Sequence, residues 1–384
     1  MAHSTRRASS AKSRPEKQPS PLWLHKATGQ YGKTIRGVKY YFGSDRDAAL
    51  KEYLRVREWR EKGLEPPPKE GEYLTLVRLC NHFIAAAKAK VQSEELTNRT
   101  YQEYERTCEL LMDHFGKKFP VNQLGPKTLL AYRQKLASGR APQTIATEVN
   151  RARVVLTFAF KSGLIDKPIL FGEFKRPSVQ VMRKRKAAVG DVALSAWEIR
   201  RLINGASPTL RAMILLAVNC GLGNADLGRL EHRHLDLEKG WLDFPRPKTG
   251  IPRRARLWPE TVRTLKWASQ ERPTAKDQAD DRFVFITKYG KPWSTGEQTD
   301  TALSHEFKKL RKAVGNVSDL GFYSLRRSFR TAADAARDPV AVDLVMGHAD
   351  HTMGGQYRQK IEGKRLTRVS RIVRSWLWPI GGAE

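Results

Sequence analysis

FYSLRRSFRTAADAARDPVAVDLVMGHADHTMGGQY, residues 322–357, reads as two short helices, over 325–336 and 339–346, followed by a polar segment. Leu325, Phe329 and Ala333 recur at helical spacing and predict one buried stripe. That stripe leaves Arg326 off the core face, and Tyr323, three residues earlier, shares a side of the first turn with it. Gly347 predicts the stop of the second helix, so His348 follows where the chain is free to turn an imidazole inward. Tyr357 stands in HTMGGQY with no apolar neighbour to pack on, which predicts a mobile phenol rather than a core aromatic. Singly these residues have ordinary readings: Arg326, Arg327 and Arg330 also fit a solvated basic face, and loop histidines are usually incidental. Together, arginine, histidine and tyrosine are side chains that grip or attack a phosphate.

Working outward, GWLDFPRPKTGIPRRARLWPE (240–260) predicts a hairpin. It has a strand around Trp241–Phe244, a Lys-Thr-Gly turn carrying Lys248, and a basic return strand with Arg253 and Arg254. SPTLRAMILLAVNCGLG (207–223) predicts a nearly all-apolar core helix, opened by Ser207-Pro208 and ended by glycine. Beyond Tyr357, Leu366, Val369, Ile372, Val373, Trp376 and Leu377 share one helical face. That face closes the chain's own core or docks on a neighbouring copy; the sequence leaves both open.

Five segments separate by composition over the 384 residues. Residues 1–20 read as a disordered basic arm. Residues 21–66 read as a small α+β domain, with short aromatic runs between Gly turns and a helix bearing Ala48, Leu50, Tyr53, Leu54 and Trp59. Residues 73–170 predict an all-α, four-helix domain, in which Thr97 is an N-cap and Gly116 a stop. Residues 171–187 form a linker that holds Lys175, Arg176, Arg183, Lys184, Arg185 and Lys186 with no acid between 175 and 186. It is a solvated tether or a strap along a polyanion. Residues 188–384 form the largest, mixed α+β domain.

The chain carries 70 Lys+Arg against 40 Asp+Glu, a formal net charge of +30. A surplus of that size predicts a polyanionic partner, double-stranded DNA foremost, and no lipid anchor or apolar run points to a membrane. Cys80, Cys108 and Cys220 are widely spaced and fit a reducing cytoplasm without disulfides or zinc. His232 and His234, lacking further ligands nearby, predict a solvated loop and no metal.

RPKTG (246–250), YSLRRSF (323–329), MGHAD (346–350) and Tyr357 resemble the catalytic domain of the tyrosine recombinases, the phage integrase family. The helical module before them is similar to that family's core-binding domain, and residues 21–66 to its arm-binding domain. The resemblance implies a cytoplasmic, nucleoid-associated, site-specific recombinase of a mobile element. Such an enzyme cuts and rejoins duplex DNA through a 3′-phosphotyrosine, as a monomer in solution and a tetramer on DNA, with no cofactor. It implies Tyr357 as nucleophile, Arg326 and His348 on the phosphate, Lys248 as general acid, and Tyr323 assisting where histidine is commoner. It also exposes a departure: Gly223 stands where the family's first arginine falls. Losing one such donor costs on the order of a hundred- to a thousandfold in rate. Asn224 capping the next helix, Arg229, or a hairpin cation such as Arg253 are candidate replacements. The departure keeps open an integrase-derived DNA-binding protein that does not cut, and the shared chemistry keeps open a type IB topoisomerase.

Overall fold

A computed structural model describes residues 21–64, 66, 73–294, 302–349 and 361–379, which divide between residues 182 and 183 into two compact units. The first unit opens with an antiparallel sheet of β1 (Trp23–His25), β2 (Gln30–Ile35) and β3 (Val38–Gly43). Ile35 pairs with Val38 across Arg36 (φ 52°) and Gly37 (φ 82°), a two-residue turn with positive φ at both positions. Helix α1 (Arg46–Glu61) starts where the Asp45 side chain accepts from Ala48 N at 2.7 Å. It buries Ala49, Tyr53 and Val56, while Leu54, expected on the apolar stripe, is exposed.

Helices α2 (Leu76–Gln92), α3 (Asn98–Phe115), α4 (Pro126–Ala137) and α5 (Pro142–Lys161) build a second core around Leu79, Leu111, Leu129, Val149 and Leu156. Thr97 caps α3 by accepting from Thr100 N, and Gly116 at φ 92° ends it, as its sequence predicts.

The 171–187 linker is not wholly extended. Val179–Val189 coils into helix α6, which buries none of its residues. The reason is local: no Gly or Pro interrupts 179–189, and Met, Arg, Lys and Ala favour helix. Because the helix has no core face, it leaves no apolar period to detect.

In the second unit α7 (Ala196–Gly205) begins with a capping box of Ser195 and Glu198. Helix α8 (Pro208–Cys220) is the centre: ten of its residues, Leu210 and Ala212–Cys220, are buried. It ends at Gly221, φ 65°, where a Cβ would lie 2.9 Å from the Phe329 ring, so both conformation and space require glycine. One turn, α9 (Asn224–Leu227), follows.

β4 (Leu235–Asp236), β5 (Trp241–Asp243) and β6 (Arg254–Arg256) form an antiparallel sheet, and the β5–β6 hairpin has the expected place and turn. α10 (Pro259–Gln270), α11 (Ala302–Val314), α12 (Ser324–Ala333), α13 (Pro339–Met346) and α14 (Gly363–Leu377) complete the unit. In α14 Leu366, Val369, Val373 and Leu377 are buried, Trp258 Nε1 donates to Ser370 O at 2.8 Å, and Arg374 pairs with Glu260 at 2.6 Å. The apolar face therefore closes the chain's own core. Among the described residues no helix is long and apolar enough to span a membrane.

Candidate active site

Three chain reversals meet around one guanidinium. Arg326 lies in the first turn of α12, yet it is 2% exposed, not off the core as the helical stripe predicts. The cause is tertiary. α8 and α13 both stop at a left-handed glycine, Gly221 and Gly347, and end-of-helix carbonyls lack intrahelical donors. Arg326 Nη1 donates to Gly221 O, and its Nη2 donates to Met346 O at 2.9 Å. A cation is favoured there because it faces the negative ends of two helix dipoles.

His348 completes the grip, with Nε2 3.0 Å from Arg326 Nη2. A guanidinium only donates, so Nε2 accepts and the ring proton sits on Nδ1, directed to Asp343 Oδ1 at 3.3 Å. Asp343 is held in turn by Arg330 Nη1 at 2.9 Å, and its carbonyl receives His348 N at 2.9 Å. Burial and the Arg326 charge keep His348 below its usual pKa, against the opposing pull of Asp343, so the imidazole is neutral near pH 7. Burial also lowers Arg326, with Asp226 opposing, but a guanidinium stays charged.

The N-terminal side of α9 supplies the carboxylate that faces Arg253 and Arg326. Gly223 N donates to Asp226 Oδ2 at 2.9 Å, which also accepts from Arg253 Nη1 at 3.1 Å and lies 3.9 Å from Arg326 Nη1. Burial would raise Asp226, but Arg253 and the Gly223 N–H outweigh it and hold the carboxyl low. Asn224 does not cap α9 with its side chain. It bonds Ser304 at 3.1 Å, and Asp226 makes the cap instead. Over Gly223 lies the Tyr323 ring, 3.5 Å from where a Cβ would stand.

The β5–β6 hairpin closes the other side. Its base touches the His348 corner, with Arg246 Nη1 3.5 Å from Gly347 O. Lys248 stands exposed on its turn, unbonded to Arg326 or His348 among the described residues. Arg253 is 2% exposed, whereas Arg254 is exposed, stacks 4.6 Å from the Trp241 ring and pairs loosely with Asp243. Arg229 is half-buried and lines a separate cavity of 1240 Å³ beside Trp293.

The structure thus brings together Arg326, His348, Tyr323, Gly223 and Arg253, and sets Lys248 at the hairpin tip. Lys175, Arg176, Arg183, Lys184, Arg185 and Lys186 are not buried, Lys175 pairing with Glu173 at 2.8 Å. Tyr357 lies outside the described residues. His232 and His234 fall in a single turn, His232 exposed and His234 half-buried, where Glu231 N donates to His234 Nδ1 at 3.2 Å. Sequence reasoning missed Asp226, Asp343 and Arg246. The only available signal was their spacing from Gly223, His348 and Lys248, which short polar side chains near a glycine do not distinguish from ordinary caps.

The sequence profile of the phage integrase family matches residues 193–363. Among solved structures the chain is similar to a lambda integrase dimer bound to a COC′ core site, at 18% identity, 91% of this chain, 99% of that chain and TM-score 0.53. It is similar also to a lambda integrase tetramer bound to a Holliday junction, at 19% identity, 90% of this chain, 99% of that chain and TM-score 0.53. A third is the Tn1549 transposon integrase in complex with transposon right end DNA, at 16%, 78%, 98% and 0.57 respectively. At these identities the likeness establishes a shared fold. No curated protein is similar to the chain in sequence at a significant level.

Proposed function

From the premise that this chain belongs to the phage integrase family of tyrosine recombinases, we propose that it is a site-specific recombinase. It cuts and rejoins duplex DNA through a 3′-phosphotyrosine. The observation that carries this reading is the Arg326–His348 pair, fixed by two helix ends and followed nine residues later by Tyr357 (357 − 348). The phenol oxygen of Tyr357 forms a bond to phosphorus, and the bond from phosphorus to the 5′ oxygen breaks. Arg326 neutralises the non-bridging oxygens. His348 orients Arg326 and holds the phosphate with it; when Arg326 Nη2 turns from His348 Nε2 to the phosphate, that nitrogen is freed to receive the phenolic proton. Lys248, at the hairpin tip, delivers a proton to the leaving 5′ oxygen, and Tyr323 assists by hydrogen bonding. The phosphotyrosine conserves the bond energy for rejoining, so the reaction consumes no nucleotide.

In this reading residues 1–20 are a basic arm, 21–66 bind arm-type DNA, 73–170 bind the core site, 171–187 lie along the backbone and 188–384 cut. The chain works on the nucleoid in the cytoplasm, a monomer in solution and a tetramer on DNA, like the lambda integrase tetramer on its junction. Gly223 favours one rival, a DNA-binding protein that does not cut. A single experiment separates them. Duplexes enriched from a random pool by binding to the full-length protein are nicked and offered as suicide substrates. We expect a denaturant-resistant protein–DNA adduct from the wild type, and none from Tyr357→Phe, which still binds. An adduct from Tyr357→Phe overturns the assignment, and only salt-sensitive complexes from the wild type favour the binder.

A further inference from the structure

We propose that Arg253 supplies at the reacting phosphate the guanidinium that position 223 lacks; the assignment rests on the recombinase reading above. Gly223 has no side chain to offer, and the Tyr323 ring covers the space above it. Arg253 arrives from the opposite direction. Its carbonyl accepts from Phe244 N at 3.0 Å, which pins the backbone at the start of the return strand. Neighbours along a strand face opposite ways, so Arg254 turns outward and Arg253 inward. Its inward side chain packs 5.2 Å from the Phe244 ring and is fully buried.

The donors of Arg253 are the key. Nη1 is bonded to Asp226, but Nε and Nη2, both buried, have no hydrogen-bond partner among the described residues. Buried donors without acceptors are costly and rare in folded proteins, and an oxyanion with several lone pairs answers both. Their place suits that role. Asp226 Oδ2 bridges the Gly223 N–H, Arg253 and, at 3.9 Å, Arg326. On the other flank Arg253 Nε would lie 3.3 Å from a Cβ at Gly347, the residue before His348. Arg253 therefore sits between the backbone of the missing arginine and the two side chains that grip the phosphate.

Charge points the same way. Arg246, at the Gly347 carbonyl, and Arg253 and Arg326, which face Asp226, converge on this corner, while Asp343 is engaged by Arg330 and His348. Three guanidiniums against one carboxylate leave a surplus of two positive charges, which a phosphodiester, with one negative charge shared by two non-bridging oxygens, halves.

The test uses full-length protein and the nicked suicide duplexes above, in single turnover. Arg253→Met keeps the apolar stem and removes the charge. We expect adduct formation to slow by on the order of a hundred- to a thousandfold, with DNA binding retained. On a substrate whose scissile phosphate is an uncharged methylphosphonate most of that deficit should disappear, because no anion remains to be neutralised. Gly223→Arg placed in the Arg253→Met background should restore at least tenfold, since the backbone at 223 (φ −99°) admits any residue and its Cβ meets only ordinary contacts. Should Arg253→Met not fold, Arg253→Gln, which removes the charge but keeps a polar group for Asp226, is expected to show the same methylphosphonate-sensitive loss. Cleavage by a folded variant at the wild-type rate, or an equal deficit on both substrates, overturns the assignment and leaves the recombinase reading intact. Absence of any wild-type adduct sinks that reading, and this assignment with it.

Discussion

The arginines of the site and those of the inter-domain helix are the same residue type under opposite physics. Arg253 and Arg326 are almost wholly buried, each bonded at fixed distances, and both border Asp226. Arg183, Lys184, Arg185 and Lys186 on α6 are in solvent, on a helix that buries nothing. Burial converts a cation into an oriented set of donors with a single geometry, at the cost of needing compensation. Exposure keeps the charge but gives it no direction. The first arrangement suits a transition state, and the second suits holding a polyanion of any sequence.

The sharpest way to break this contrast is to remove the compensating charge. Asp226→Ala leaves Arg253 and Arg326 buried without their carboxylate and should cost about 3–5 kcal/mol of unfolding free energy, read by urea denaturation. A loss below about 1 kcal/mol, the scale of exposed ion pairs, would mean that the site is wetter than its burial indicates. Arg326→Gln should next slow adduct formation by on the order of a hundred- to a thousandfold with DNA affinity little changed. An affinity loss without a rate loss would place it among the backbone contacts.

A gentler probe is pH. His348 is held below the ordinary imidazole value of about 6.5, chiefly by burial and by Arg326. As pH falls through about 6.5 the unfolded chain takes up the proton first. The contribution of His348 to stability is therefore present above that pH and is lost as pH falls toward its folded value. Adduct formation should decline at the acid end of that window, where His348 of the folded protein itself takes up the proton, and Asp343→Ala, which removes the group that raises His348, should move that midpoint lower still. A midpoint moving up would contradict the bonding described. Smallest per residue is the effect on α6. Changing Arg183, Lys184, Arg185 and Lys186 to Gln should flatten the salt dependence of DNA binding by about 0.9 in log–log slope for each phosphate no longer neutralised. The saturated cleavage rate should be untouched; a changed rate would show that α6 does more than hold the backbone.

The same contrast explains what the sequence disclosed. Elements with a strong local signal were readable: the apolar α8 with its Pro and Gly ends, the Lys-Thr-Gly hairpin, the Thr97 cap, and the glycine that puts His348 at a corner. Arg326 was placed on the wrong face. Helical periodicity assumes that a charged side chain seeks water, and it cannot see carbonyls arriving from residues 221 and 346. Asp226 was missed for a related reason, since its partners lie 27 and 100 residues away in sequence (253 − 226 and 326 − 226). α6 was missed from the opposite side, because a helix without a core writes no stripe.

Gly347 carries one last consequence. It is left-handed at φ 64°, and a methyl group there would stand 3.0 Å from Arg246 Cβ and 3.3 Å from Arg253 Nε. Even alanine would prise the basic hairpin away from the imidazole corner while straining its own backbone. The absence of a single carbon atom is thus what lets two distant pieces of chain close over the same few ångströms.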